Sequence, residues 1–375
     1  MKKLSLIFVC FVMSLSVMQP SLASPIAPEL IKAKDAIGNA NFSSAQNTIA
    51  AYIQANPRDP YGFLLRGILQ DWQQIVTGQY TALNGKILAD FDQARILAQV
   101  ASDEDHNNLE KKIALGHALM YVSKKMIDQG QSFRAGGYLK RAKDIMTYVQ
   151  LQDPNNREVD LPLGVFNYFS ANVPKNLKWA ASLLGFSGDA QLGLSQMQRA
   201  SAYNNFSQFD AQYLYMYTLF KHEHNYAQAQ AQNEILRKRY PANPEFEFVN
   251  AEIVYRKKDY KQALVVLQKF DEMCQINHCA KRYVFMSHYW QADAAKHLKD
   301  DVVLVQQIAQ SLAADNGKEQ SRIVDLHKLA IGLDEKSGNQ KSICEHVHAI
   351  EALQKYNVTV WEAIQKEHPD CLMPQ

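Results

Sequence analysis

Most of the marks of an enzyme or a nucleic-acid binder are missing from this 375-residue chain. Its 40 Lys and Arg are balanced by 38 Asp and Glu, and no basic block gathers the cations into one stretch. Affinity for nucleic acid rests on Lys and Arg against a phosphate backbone, so that class of partner is excluded. There is no Gly-x-Ser-x-Gly nucleophile turn, no phosphate-binding Gly-Lys-Ser/Thr loop and no His-Glu-x-x-His pair. Nor does a Glu-Ser pair occur, the usual setting of the catalytic Glu in peptidoglycan-cleaving enzymes that carry an α-superhelix. The chain is therefore expected to be non-catalytic, with no cofactor and no metal. A site assembled from distant residues needs no local motif, so a peptidoglycan-acting or other periplasmic enzyme stands as the alternative class.

Strand-like alternation between hairpin turns is absent too. Apolar residues recur at three and four, as in Ile87, Phe91, Ala94 and Leu97, which makes the chain all α. Tyr61 to Val76, Lys86 to Ala101 and Asn108 to Ile127 run without Pro and with little Gly, so the N-terminal helices should be long. The clean apolar run Leu4 to Val17 follows Lys2-Lys3 and leads to Ser21-Leu22-Ala23, a secretory signal with cleavage after Ala23. That run is short for a membrane span. Cys10 follows Val9 rather than a small residue, which argues against lipid attachment. The basic start looks bacterial, so the expected location is the periplasm, with secretion as the alternative. Loss of Lys2 and Lys3 leaves the mature charge balanced.

Beyond the signal the cysteines are Cys274, Cys279, Cys344 and Cys371, all in the C-terminal third. Export favours two disulfides, and four cysteines allow three pairings. Cys274 with Cys279 inside one turn, and Cys344 with Cys371 across the last helices, is the expected pairing. The second would pin an end that otherwise frays.

What is present is a repeat. From Asp210 to Asn277 two consecutive units share a pattern in which Tyr226 recurs as Tyr260 and Ala229 as Ala263. Helices are expected over Asp210 to His222 and Glu245 to Lys257, each followed by a second helix opening at the Tyr. The Ala lets two antiparallel helices cross closely, and Pro241 ends the first unit. Here the sequence resembles a tetratricopeptide repeat protein, which implies binding of other proteins rather than catalysis. Phe42 with Ala45 and Pro57, Phe91 with Ala94, Leu139 with Ala142 and Pro154, and then Gly193, extend the pattern backward at wider spacing. The expected fold is a right-handed α-solenoid of tetratricopeptide-like hairpins with long N-terminal units. Arg282 to Leu298 and Val302 to Ala313 add a pair, and Ser321 to Leu333, Lys341 to Gln354 and Val360 to Lys366 form a disulfide-pinned cap over the last apolar face.

Leu161 to Phe186 breaks the regularity as a largely apolar pair of short helices interrupted by Pro174. Together with Leu183-Leu184-Gly185-Phe186-Ser187-Gly188-Asp189 it resembles a eukaryotic tetratricopeptide family whose yeast member acts in inclusion-body clearance at the mitochondrial surface. An export signal departs from that intracellular setting, so the cellular role does not carry over. The expected division is signal 1–23, long repeats 24–160, an inserted apolar hairpin 161–188, repeats 189–315 and cap 316–375.

Each candidate site has a plainer reading beside it. Gly185 and Asp189 are expected to end one helix and cap the next rather than to bind an anion. His222, Glu223 and His224, and Cys344, His346 and His348, are metal-ligand types without a complete set. Leu161 to Phe186 is expected to pack inside the superhelix, with Trp179 and Leu183 on one buried face. The alternative is peripheral membrane association through residues 161–186, with Lys175, Lys178 and Trp179 at the interface. First helices normally line the concave face. That nominates Leu214, Thr218, Lys221, His222, Phe248, Glu252, Tyr255 and Arg256 as a groove for an envelope protein or peptide, against the plainer reading of a solvated helix face. The Lys and Asn array with which chaperone-binding relatives grip a terminal carboxylate is not visible, so chaperone-tail binding is not expected.

Overall fold

The computed structural model describes residues 26–372 apart from 79, 174–184, 278 and 316. The expected signal segment, Pro174, Trp179 and Leu183 thus lie outside the described residues. Seventeen α-helices and no strand occupy what is described. Helix α1 (Pro28–Gly38) pairs with α2 (Phe42–Ala55), α3 (Pro60–Thr77) with α4 (Tyr80–Glu104), and α5 (Leu109–Asp128) with α6 (Ser132–Gln152). Next come α7 (Asp160–Ala171) with α8 (Ala190–Ala202), α9 (Gln208–Lys221) with α10 (Tyr226–Arg239), and α11 (Pro244–Arg256) with α12 (Tyr260–Asn277). The last pairs are α13 (Lys281–Leu298) with α14 (Asp301–Ala313) and α15 (Gln320–Ser337) with α16 (Gln340–Ala352), followed by α17 (Val358–Glu367). This is the all-α solenoid of helical hairpins read from the sequence.

A common turn makes the hairpins. Ala40, His224, Lys258, Lys299 and Gly338 all adopt positive φ, which turns the chain out of the first helix. Each is followed by an Asn or Asp whose side chain caps the second helix. Asn41 accepts from the Ser44 N–H, Asn225 from Gln228, Asp259 from Gln262, Asp300 from Val303 and Asn339 from Ser342. Four residues past the cap comes the crossing point, where Ala45, Ala229 and Ala263 are fully buried. In α6 the equivalent place belongs to Ala135, seven residues before the expected Ala142, though both are buried. At Gly193 the crossing is tightest, because a Cβ there would meet the Tyr168 backbone nitrogen at 2.5 Å and the Gly164 carbonyl oxygen at 2.8 Å.

Leu161 to Ala171 lie in α7, which packs on α8, and the second half of the expected 161–188 hairpin falls largely outside the described residues. Within the expected cap, α15 and α16 form one more hairpin with the common turn. The end of the chain is closed by α17, whose Trp361 and Ile364 join Ile343, Val347 and Ile350 in a small separate core. Cys344 and Cys371 stand within bonding distance beside it, as do Cys274 and Cys279 at the end of α12.

The solenoid also returns on itself. Trp72 of α3 packs on Phe209 and Tyr213 of α9 and on Phe246 of α11, with ring centroids 5.0, 4.8 and 5.9 Å apart. In α1, Lys34 pairs with Asp210 at 2.5 Å and also donates to the Phe206 carbonyl. Asp35 takes the Arg239 guanidinium and the Tyr240 hydroxyl, and the Asn243 amide donates to the Gly38 carbonyl. Gly38 is required there, since the Tyr240 ring lies 2.7 Å from where its Cβ would be. One large core therefore runs from α1 to α11, and a second begins at Phe248.

Candidate functional site

The nominated groove residues are brought together, but not as a groove. Thr218 is fully buried and Phe248 is 5% exposed, with the Phe248 ring 4.7 Å from Tyr283, 5.0 Å from Trp290 and 5.5 Å from Phe270. Phe248 as an accessible anchor is thus corrected to a core residue, because α13 closes over the face that it presents. Buried Glu252 takes Lys221 at 2.6 Å and Arg256 at 3.1 Å, an ion cluster that ties α9 to α11. Leu214 packs half-buried on the large core, and exposed His222 flanks the Tyr168, Phe169 and Tyr217 rings. Tyr255 stacks on Trp290 and donates to Asp293 at 2.8 Å, with burial raising its phenol well above the ordinary range. These residues are the seams between repeats.

The face of α9 and α11 is occupied by the chain's own α1 and α3. A hub there is Glu245, buried at the start of α11, which receives the Tyr213 and Tyr283 hydroxyls at 2.9 and 2.5 Å. Tyr283 also lies 2.9 Å from the Ile75 carbonyl of α3. One phenol proton cannot serve both acceptors. Burial raises the Glu245 carboxyl above its ordinary range, and once protonated it donates to Tyr283 and frees that proton for Ile75.

A second polar cluster looks like catalytic machinery without its geometry. Ser207 lies 3.3 Å from His117 Nε2 and donates to Glu158 at 2.9 Å. Glu158, however, holds the Ser207 hydroxyl and the Phe206 N–H rather than His117 Nδ1, which has no partner among the described residues. His117 and Ser207 are both buried, and burial pushes His117 below its ordinary range, so it is a poor proton acceptor.

The concave face reopens further on. Between α13 and α15 lies a groove of about 760 Å³, floored by Leu304, Leu329 and Leu333 and walled by Tyr289. Its rim carries Lys296, Lys299, Lys328 and Lys336 with Asp293, Asp301 and Asp325. Leu304 holds the crossing-point register where earlier units have Ala, and Ile343 holds it in the last hairpin. Larger side chains at a crossing keep helices apart. Sequence reasoning missed these residues, although the change from Ala to Leu four places after the Asp300 cap was a legible signal.

Among the described residues no group of three or more His, Cys, Asp or Glu is placed to hold a metal. His222 to His224 serve the turn into α10, with Glu223 accepting from Tyr168 at 2.5 Å, and Cys344 faces Cys371. Asp189 caps α8 by accepting from the Leu192 N–H, after Gly185 at φ 71°. The apolar side chains Leu161, Leu163 and Phe166 of α7 are all buried. No described helix is long and apolar enough to cross a membrane.

Residues 155–300 match the family model described as Iml2/Tetratricopeptide repeat protein 39. No curated protein matches the chain. Among solved structures, the C-terminal part of a TPR repeat-containing protein from Cytophaga hutchinsonii is similar at 14% identity. That alignment covers 78% of this chain and 97% of the other, with TM-score 0.41. A thermophilic TPR protein of Thermus thermophilus is also 14% identical over 60% of this chain and 97% of its own, with TM-score 0.36. Human IFIT1, solved as a dimer with m7Gppp-AAAA, is 14% identical over 89% of this chain and 68% of its own, with TM-score 0.47. The described chain is thus built of tetratricopeptide-like helical hairpins, and its residues 155–300 are similar to the Iml2/Tetratricopeptide repeat protein 39 family.

Proposed function

We propose that the protein is a non-catalytic scaffold, exported to the bacterial periplasm, that holds a segment of an envelope protein in the groove between α13 and α15. The observation behind this is the contrast along the concave face. Over α9 and α11 it is filled by Trp72 and its neighbours, while between α13 and α15 it is open, with an apolar floor and a charged rim. Such a surface suits a peptide better than a small molecule, because apolar anchors sit centrally and charges at the edge. Two cysteine pairs at bonding distance fit an oxidising compartment, and the segment before Ser24 has the composition of a processing signal.

A photo-crosslinking residue at Leu333 in the groove, compared with one at Val302 on the outer face, tests the site. Val302 is 81% exposed and outside the groove lining. Specific adducts with an envelope protein should form from position 333 and not from 302. Equal labelling from both would end the groove reading. N-terminal sequencing tests export separately: mature protein should begin near Ser24, and an intact Met1 on protein retained in the cytosol would refute it.

A further inference from the structure

We propose that His327 and His346 form a site for a soft monovalent cation, Cu(I), held in line between their two Nδ1 atoms. His327 stands on α15 and His346 on α16, the two helices of the last hairpin. Their Nδ1 atoms are 2.9 Å apart and their ring centroids 5.1 Å apart. The centroid separation exceeds the nitrogen separation by nearly the full reach of both rings, so the two nitrogens face each other head on. Both rings are half-buried and open to solvent on one side.

Two observations set the class of metal. Among the described residues no group of three or more His, Cys, Asp or Glu is placed around one ion, so the four ligands of a Zn²⁺ site and the six or more of a Ca²⁺ site are not assembled. Cu(I) needs only two donors in line, and imidazole suits copper. The second observation is Asp334, whose carboxylate lies 3.7 Å from His346 Nε2. It favours a proton on that nitrogen, which leaves the His346 Nδ1 lone pair turned toward His327. Without metal, His327 donates its own Nδ1 proton to that lone pair. When the cation enters, this proton moves to His327 Nε2, so both rings stay neutral and no proton is released. Burial and the neighbouring ring hold His327 down at about 4, which keeps it neutral and able to give a lone pair. Metal–imidazole bonds of about 2 Å each require the rings to part by about 1 Å, a side-chain movement. The bound cation ties α15 to α16.

The test titrates the protein, its cysteine pairs oxidised, with Cu(I) against a chromophoric chelator and with Ag(I) as a probe that stays monovalent in air. A single site should appear for both ions, and hydrogen exchange should slow in α15 and α16 on loading. His327→Gln and His346→Gln should each abolish that site, and Asp334→Asn should weaken it about tenfold. Retention of the site in either His variant overturns the assignment, as does tighter binding of Zn²⁺ than of Cu(I) at the pair. X-ray absorption on the loaded wild-type protein needs no variant to fold. It should show copper with two nitrogen ligands, and sulfur ligands or a third donor from the protein would refute the linear site. No binding of either ion leaves the pair as a hydrogen bond alone and ends the proposal.

Discussion

The two halves of the concave face use the same hairpin and reach opposite ends. Over α9 and α11 the chain's first helices return and seal the surface with Trp72, the Lys34–Asp210 pair and the Asn243–Gly38 contact. At α13 the early helices reach only as far as the Tyr283–Ile75 contact, and the groove between α13 and α15 is lined among the described residues by these two helices, by α14 and by Val360 of α17. The difference teaches that a repeat does not by itself define a binding face. What decides is whether an earlier part of the chain reaches it, and helices α3 to α6, of 18 to 25 residues, extend the early units far enough to do so.

The strongest way to break the contrast is Trp72→Ala. Removing a buried indole costs about 4 kcal/mol. A solenoid opens unit by unit, so the loss should appear as reduced hydrogen-exchange protection in α1, α3 and α9, with the more distant α15 unchanged. Uniform loss across all helices would show that the two halves are one cooperative body. In the open half, Cys371→Ser removes the link that closes the 27-residue loop from Cys344, and should weaken the α16–α17 cap by about 3 kcal/mol while sparing α9. Peptide mapping without reductant should first recover the Cys274–Cys279 and Cys344–Cys371 pairs.

A glycine exchange in each half should have opposite signs. Gly193→Ala drives a Cβ into the backbone of α7 and should destabilise the closed half by about 2 kcal/mol. Gly332→Ala in α15 meets nothing within 4 Å and should stabilise the open half by about 0.8 kcal/mol through helix propensity alone. Urea denaturation followed by exchange in α8 and α15 reads both.

The smallest expected effects concern pH, and again the halves differ. Glu245 has its folded carboxyl raised by burial, so its contribution is present below its ordinary 4.5 and is lost as pH climbs through the raised value. His327 of α15 is pushed down to about 4 by burial and by His346, whose Nδ1 lies 2.9 Å from its own. Its neutral form is favoured in the folded state, so the open half should lose stability as pH falls from about 6.5 toward 4. Glu245→Gln should remove the first dependence in α11, and His327→Gln the second in α15. Denaturation of both variants at pH 4.5 and 7 checks the signs, and a parallel slope in the two variants would refute the assignment.

Much of this was legible because it is local. The Tyr226–Ala229 and Tyr260–Ala263 pattern gave the hairpins, and Asp189 was readable as a cap because a side-chain acceptor before a helix has one nearby use. The cysteine pairing is local as well, spanning a turn in one case and a short helical return in the other. Phe248 and Tyr255 were misplaced as anchors because periodicity tells which face of a helix is apolar and not what will cover it. Trp361 and Leu304, by contrast, lie in patterned helices whose partners could have been sought.

The sequence alone determined the helical hairpins, their turns and their crossing residues, since backbone conformation, capping and side-chain size act within a few positions. The tertiary structure alone decided that α1 and α3 cover α9 and α11 and that the open groove falls between α13 and α15. Contacts such as Arg239 with Asp35 join residues 204 positions apart, and no local period encodes them. They exist because small angles between successive units accumulate along the solenoid until the chain meets itself.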